Sequence, residues 1–540
     1  MGRIFFPQYK RGRKGISLHK GLTILEHLRE LGIEINAECG GKGECGRCVV
    51  RIEKGMENLN GFTHHEISFS LPLGERLACQ ARIVRDTSDI VVFIKEFGKY
   101  EILKRSKERE VPLNPLTFQR ESKVIYNHEV LDDYRGRIYG LAIDVGTTTL
   151  VFDIVDLQSG EVIATIAKTN PQILYGNDVI SRIEYTMVNK KSNAYLEEDE
   201  RVKKIKEMQR CVIESINQSL KEFESERNDL IAPYVYEAVV VGNPTMRNIF
   251  FGLDVSSLGH KPYEPVHKEP IVKEASDLGL AVFPKARIYG AALIGGHAGA
   301  DALADVLVSQ IYKDERIGMV IDIGTNGEIV LGNSRRLISA SCAAGGAYEG
   351  ATIPSGIGAI EGAIKNIKIK NGKVLYETIG NTYPVGICGS GLIDLLAELL
   401  RCGIMDRKAK IKEDFYVEDG IKITQPDIYQ LITAKAGLKT DQLILLKYYG
   451  IEIKDLDKIY LSGGFGNYID IKNAIKIGLL PDAEEKIVKI GNGALEGARE
   501  MLVCKESRKA SEEIVKKIEH VKPNELEKDF AYLVAENMYF

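Results

Sequence analysis

Apolar positions along this chain fall into a few distinct rhythms. Ile24, Leu25, Leu28 and Leu31 share one face at helical spacing, Thr23 and Glu26 stand three apart as a capping box, and Gly32 is a natural stop; together they predict a helix over 23–33. Apolar runs at 49–52 and 90–94 predict strands. The rhythm is lost over 98–137, which is rich in Lys, Glu and Arg, carries Pro112 and Pro115, and reads as a connector with a short packed element near 113–118. After it one phrase occurs twice. Tyr-Gly-Leu-Ala-Ile-Asp144-Val-Gly146-Thr147-Thr148-Thr149 recurs as Gly-Met-Val-Ile-Asp322-Ile-Gly324-Thr325-Asn326-Gly327-Glu. Each copy is an apolar strand ending in Asp, a Gly turn with hydroxyl or amide residues, and a second apolar strand, at 150–155 and 328–331. Lys-Ile-Tyr-Leu-Ser462-Gly463-Gly464-Phe465-Gly466-Asn467 reads as strand, glycine loop and helix start, and the stretch from Gly491 to Gly497 opens a further apolar helix. These patterns divide the chain into 1–97, a linker over 98–137, a lobe over 138–312 and a lobe over 313–540.

With 540 residues, 44% hydrophobic and 27% charged, the composition is that of a multidomain globular protein. Lys plus Arg number 72 against 76 for Asp plus Glu, a net charge of −4 that offers no global attraction to nucleic acid or anionic lipid. No apolar run approaches the roughly 18 residues of a membrane span. The first twenty residues lack an apolar signal core, so the expected compartment is the cytoplasm. Lys10, Arg11, Arg13 and Lys14 read as a solvated hairpin turn, the alternative being a docking face for an acidic electron donor.

Cysteine is distributed unevenly. Of nine, Cys39, Cys45, Cys48 and Cys79 cluster near the start, while Cys211, Cys342, Cys388, Cys402 and Cys504 are scattered and read as buried small hydrophobes. Four thiolates serve zinc or an iron–sulfur cluster, but structural zinc sites pair two short knuckles. Here three ligands sit in one glycine-rich loop, C-x5-C-x2-C, and the fourth arrives alone, which is the plant-type 2Fe–2S spacing with one residue added. Gly40, Gly41, Gly43 and Gly46 suit a loop that aims backbone N–H groups at sulfides. The segment resembles a β-grasp ferredoxin domain holding a 2Fe–2S cluster.

The duplicated turns point to phosphate chemistry. Gly146, Gly324 and Gly327 let backbone N–H groups approach phosphate; Thr147, Thr148, Thr149, Thr325 and Asn326 add donors. Asp144 and Asp322, at strand ends, are placed to hold Mg²⁺ mostly through water. Gly463, Gly464, Phe465 and Gly466 would let an adenosine lie flat on backbone. No Walker A loop occurs. The order of motifs resembles the acetate/sugar kinase–Hsp70–actin (ASKHA) ATPase superfamily, two similar lobes that clamp ATP. In that reading the stretches Gly295 to Asp301 and Gly491 to Gly497 are helices that touch across a hinge. His297 reads as a structural histidine.

Longer phrases narrow the resemblance: Asn170-Pro-Gln-Ile-Leu-Tyr-Gly-Asn-Asp-Val-Ile-Ser-Arg-Ile183, Val241-Gly-Asn-Pro-Thr-Met246, Pro384-Val-Gly-Ile-Cys-Gly-Ser-Gly-Leu-Ile-Asp394 and Leu461-Ser-Gly-Gly-Phe-Gly-Asn-Tyr-Ile-Asp470. Over nearly its whole length the chain resembles the reductive activators of corrinoid proteins. That resemblance implies one-electron transfer from the cluster to cob(II)alamin of a corrinoid methyltransferase protein, giving cob(I)alamin with ATP hydrolysis. It also implies a low-potential upstream electron donor and a homodimer. Plant-type clusters lie near roughly −400 mV, and the family's acceptor couple is lower, so transfer is uphill and requires a change in the acceptor's coordination or selective binding of the reduced corrinoid, which nucleotide-driven closure of the two lobes can supply. The cluster domain is expected to swing on the 98–137 linker. Ser390 is a candidate contact to cobalt, the alternative being an N-cap for a helix over 392–400; Cys388 reads as a buried thiol. Arg247 and Asn248 stand where relatives often carry two His, Gly356-Ile-Gly-Ala359 replaces a Gly-Met-Arg-Ala turn, and 505–540 holds no Cys for C-terminal clusters. A cluster-regulated small-molecule kinase or a redox-sensing ATPase remains the alternative function.

Overall fold

The computed structural model describes residues 2–7, 12, 14–33, 35, 41–43, 48–69, 71, 74–94, 111–189, 194–342, 346–349, 353–464, 466 and 468–540. The chain forms two compact units, one of Met1–Glu101, Thr352–Asp406 and Lys410–Ile428, the other of Ile102–Ala351, Arg407–Ala409 and Tyr429–Phe540.

In the first unit a five-stranded sheet runs in the order Ile16–Ser17, Arg3–Phe5, Ile90–Ile94, Val49–Lys54, Glu75–Leu77. Arg3–Phe5 and Ile90–Ile94 are parallel and the remaining pairs antiparallel. The helix Ile24–Glu30 begins with the expected capping box, in which the Thr23 hydroxyl accepts from Glu26 N. It stops before Gly32, where Ile33 N returns to Leu28 O. Ile24, Leu25 and Leu28 pack with Ile4, Val50, Ile90 and Val92 in one core. This is a β-grasp, with the strands expected at 49–52 and 90–94 in place. Residues 8–11 and 13, most of the basic stretch, lie outside the described residues.

The same unit contains a three-stranded sheet (Lys373–Thr378, Ala363–Lys370, Gly386–Ile387), the helix Gly389–Arg401 and a hairpin of Phe415–Glu418 with Ile421–Ile423. A side chain on Gly420, in that hairpin's turn, would meet the Phe93 ring at 3.3 Å, so the hairpin tip lies against the β-grasp sheet. Residues 353–406 and 410–428 therefore group with the N-terminal strands, where the sequence pattern suggested one undivided lobe over 313–540. No shift in composition marks that division; long-range packing alone makes it.

The second unit carries the duplication. One six-stranded sheet has the order Val162–Thr169, Thr149–Asp156, Tyr139–Val145, Val235–Val241, Arg287–Gly290, Ile271–Glu274. The other has Ile487–Gly491, Lys458–Ser462, Gly318–Ile323, Gly327–Gly332, Leu337–Cys342, Ile518–His520. In each, three consecutive antiparallel strands are followed by two that join in parallel on the side of the first. Val235–Val241 is buried along its length, Val235, Ala238 and Val240 facing one core and Tyr236, Val239 and Val241 the other, which accounts for its unbroken apolar run.

The helices Ala300–Ser309 and Gly493–Val503 pack together between these strands. A Cβ on Gly497 would stand 2.5 Å from that of Ala304, so this close crossing requires glycine there. The expected pair of touching helices is present, but the first begins at Ala300, and 295–298 is a turn closed by reciprocal hydrogen bonds between Gly295 and Ala298. His297 lies in that turn rather than in a helix.

The connector expectation does not hold for 111–137. Thr117–Arg120, Lys123–Tyr126 and Glu129–Asp133 form a three-stranded antiparallel sheet. The Thr117 hydroxyl donates to Glu237 at 2.6 Å, and Asn114 N donates to Val503 O at 2.8 Å, tying this sheet to the second unit. Its strands are short and bury only Thr117, Val124, Ile125 and Leu131, too few for a readable alternation among charged neighbours.

Candidate nucleotide site and cluster loop

Each repeated strand, Tyr139–Val145 and Gly318–Ile323, carries its aspartate one residue before its end, and the two turns meet. Thr148 Oγ1 and Thr325 Oγ1 stand 3.2 Å apart, and both hydroxyls donate to Glu349 Oε2, that from Thr148 at 2.8 Å. Thr148, Glu349, Asp144 and Asp322 are partly exposed, whereas Thr147 and Thr325 are buried. Two hydroxyls from the repeated turns converge on one carboxylate, a polar meeting point whose donors suit a phosphate chain.

The first turn is braced from behind. Asn170 Nδ2 donates to Gly146 O at 2.7 Å, Arg182 Nη2 to Thr147 O at 2.6 Å, and Asn243 Nδ2 to the Thr147 hydroxyl at 3.0 Å. Arg182 is wholly buried, also donates to Gly176 O at 2.9 Å, and burial lowers it to about 10, so it stays charged near neutral pH. Asn170, Arg182 and Asn243 belong to the long phrases noted above, where no role was legible. Asn492, which caps the helix Gly493–Val503, donates to Asp144 Oδ2 at 3.2 Å.

Where the two turns meet carboxylates accumulate, with Asp144 contributed by the first repeat. Burial, with the charges of Asp301, Asp322 and Glu349 nearby, pushes Asp144 up to about 8. Asp301 rises to about 7 and Asp322 to about 6, both mainly through burial. Asp305 and Glu328 are driven well above the carboxylate range by burial and by the charge of Asp322 or Asp301. Asp305 Oδ1 accepts from the Ser462 hydroxyl at 2.7 Å, while Asp305 Oδ2 and Asp322 Oδ1 meet no other donor among the described residues. Burial holds Asp305 well above the ordinary carboxylate range, while its interaction with Asp322 lowers Asp322. Such a group of carboxylates fits a divalent cation that relieves their repulsion. Among the described residues no three His, Cys, Asp or Glu side chains converge as direct metal ligands, so Mg²⁺ fits here with water completing its shell.

Gly463 follows Ser462 with φ +120°, and a Cβ there would stand 2.5 Å from Ile323 O, so the glycine loop lies directly on the end of the second strand. Gly464 faces open space, Gly466 N donates to Gly463 O at 3.0 Å, and Phe465 lies outside the described residues. The expected helix start comes later, at Ile471–Lys476 with Asp470 as N-cap. Gly324 N donates to Asn326 O at 3.0 Å, and Thr149 and Gly327 begin the return strands.

In the cluster loop, Cys48 and Cys79 are buried, and Ala78 N donates to Cys48 O at 2.7 Å, which brings the last loop cysteine beside the distant fourth. Gln80 Nε2 reaches both Cys79 Sγ at 3.5 Å and Gly41 O at 3.3 Å. The juxtaposition fits a cluster held between loop and fourth cysteine; Cys39 and Cys45 lie outside the described residues.

Ser390 is a correction. It is wholly buried, its hydroxyl donates to Lys365 O at 2.7 Å, and the N-cap of its helix is Cys388, so it neither caps nor presents a hydroxyl. The Cys388 thiol is buried and raised by burial, as expected. Cys402 is exposed just past the end of that helix, unlike the buried position expected of it. Arg247 is buried and held by Ala291 O, His267 O and Glu269 O, a structural role. No helix among the described residues is long and apolar enough to cross a membrane.

Residues 11–84 match the 2Fe–2S iron-sulfur cluster binding domain, 139–314 the RACo middle region and 316–540 the C-terminal domain of RACo, the ASKHA domain. The corrinoid activation enzyme RamQ of Eubacterium limosum is 30% identical, with 93% of each chain covered. A Co(II) methylated amine-specific corrinoid protein reductase of Methanosarcina barkeri is 28% identical over 71% of this chain and 73% of its own. The solved structure of a reductive activator for corrinoid, iron–sulfur protein superposes with a TM-score of 0.74 at 28% identity, covering 100% of this chain and 98% of that one.

Proposed function

The chain belongs to the reductive activators of corrinoid proteins, and from that membership we propose that Mg-ATP, bound where its two turns meet, drives one-electron reduction of a partner corrinoid protein from cob(II)alamin to cob(I)alamin. The observation that carries the nucleotide half of this reading is the 3.2 Å approach of Thr148 and Thr325, one from each repeat. Gly146, Thr147, Thr148 and Thr149 on one side and Gly324, Thr325, Asn326 and Gly327 on the other supply phosphate donors. Asp144 and Asp322 hold Mg²⁺ through water, and Gly463, Gly464, Phe465 and Gly466 take the adenosine. Cys39, Cys45, Cys48 and Cys79 hold the 2Fe–2S cluster, which supplies one electron at a time. A nucleotide that binds one arrangement of the two lobes better than another shifts the population toward it, and that differential binding is what an uphill electron transfer requires. The partner is a corrinoid methyltransferase protein, the donor a low-potential electron carrier, the assembly a homodimer and the setting the cytoplasm.

The test is anaerobic. The reduced protein is mixed with a corrinoid protein poised as cob(II), and the visible spectrum is followed with and without Mg-ATP. Growth of the cob(I) band only with ATP is expected. ATP turnover with an intact cluster but no cob(I) from several corrinoid proteins would favour a kinase or redox-sensing role instead.

A further inference from the structure

We propose that Glu349 is the general base of ATP hydrolysis, taking the proton from the attacking water; this rests on the nucleotide site proposed above. Glu349 belongs to neither repeated phrase. It sits at the end of a short turn that is tied to the second phosphate turn, since Gly346 N donates to Thr325 O at 3.3 Å and Glu349 N to Gly346 O at 3.0 Å. Its Oε2 is the one atom on which the hydroxyls of Thr148 and Thr325 converge. Its Oε1 lies 3.6 Å from where a Cβ on Gly324 would stand, so the carboxylate rests against the floor of the second turn. Groups that bracket a terminal phosphate from two lobes also bracket the water that attacks it, and this carboxylate lies between them.

The neighbouring carboxylates are engaged otherwise. Asp144 and Asp322 close the repeated strands, Asp305 is wholly buried and bonded to Ser462, Glu328 is buried beside Ser341, and Asp301 accepts from the N–H of Ala302 at the head of its helix. Glu349 alone among them bridges both turns while remaining partly exposed. Burial also lifts it above the ordinary glutamate range, which makes it the stronger base. In the step, the water oxygen forms its bond to the γ-phosphorus as the bond from that phosphorus to the bridging oxygen breaks. ADP departs with the electron pair, the water proton passes to Glu349, and it leaves with phosphate or solvent. No electron transfer is involved.

The test compares Glu349→Gln with the unaltered full-length protein, its cluster loaded, by titration calorimetry of Mg-ATP and by single-turnover hydrolysis. Glutamine keeps the size and one acceptor for the two hydroxyls but takes no proton. Hydrolysis is expected to fall on the order of 100-fold or more, with ATP affinity within about threefold, a shift of under ~1 kcal/mol. Glu349→Asp, which keeps the carboxylate, should retain more turnover than Glu349→Gln. Hydrolysis by Glu349→Gln within threefold of the unaltered rate would overturn the assignment, as would equal losses in both variants. Loss of ATP binding in Glu349→Gln alone would also overturn it and leave Glu349 a clamp between turns. If the unaltered protein binds no Mg-ATP, the nucleotide site itself fails and this proposal with it.

Discussion

The two turns share a sequence pattern and hold their shapes by opposite means. Donors surround the first: Asn170, Arg182 and Asn243 fix the Gly146 and Thr147 backbone and hydroxyl from behind. Acceptors surround the second, where Asp305, Asp301, Glu328 and Glu349 crowd Asp322. Hydrogen bonds from buried amide and guanidinium groups to carbonyls persist whatever occupies the cleft, so the first turn is a fixed wall. Carboxylates gathered in a low-dielectric cleft repel one another until a proton or a cation intervenes. We therefore expect the second turn, together with Asp144 from the first repeat, to respond to protonation and, in the function proposed above, to Mg²⁺.

The largest expected effect breaks the second turn. Asp322→Ala should lower ATP turnover on the order of 100-fold or more and leave the visible spectrum of the cluster unchanged, because the cysteines lie in the other unit. Steady-state hydrolysis and an absorption spectrum on the same sample decide it; undiminished turnover would remove Asp322 from the proposed metal site.

At the first turn the comparison predicts a loss of stability. Arg182→Met keeps most of the side-chain volume but leaves Thr147 O and Gly176 O without their buried donor, at a cost of about 3 kcal/mol. Urea unfolding of the second unit measures this, and an unchanged midpoint would mean that the turn is not held from behind.

The next effect is one of pH. Asp144, Asp301 and Asp322 have folded-state values of about 8, 7 and 6, above their unfolded values. The folded state then binds more protons than the unfolded one, so their stabilising contribution is complete below about pH 4 and is lost as pH rises through 6 to 8. Without nucleotide or Mg²⁺ the melting temperature should fall across pH 6 to 8.5, by the equivalent of about 4 kcal/mol. Asp322→Asn should flatten that fall and added Mg²⁺ should reverse it; a flat profile in the unaltered protein would deny the second turn its responsiveness. The smallest effect is that of Asn170→Ala, about 1 kcal/mol in unfolding free energy, with little pH dependence, as expected of a neutral brace.

Much of this was legible locally. The capping box at Thr23 and Glu26, the strands at 49–52 and 90–94, and both Asp–Gly hairpins occur where the pattern placed them. The sheet over 117–133 was not legible, because three short strands among charged residues carry too few apolar positions to set a period. Ser390 was misread because a Ser between glycines ahead of an apolar helix looks like a cap, and only the nearby strand shows that its hydroxyl is bound to Lys365.

By itself the sequence determined what depends on neighbours in the chain: helix stops, hairpin turns, the cysteine spacing and the repeat. Each follows from backbone sterics and side-chain period within a few residues. Tertiary structure alone decided what depends on distant residues. Thr148 and Thr325, 177 positions apart, meet at Glu349, and Ser462 bonds Asp305 across 157 positions. Protonation of the acidic cluster is of the same kind. A carboxylate titrates far from its ordinary range only when folding removes its water and sets other charges beside it, and no local pattern encodes that environment.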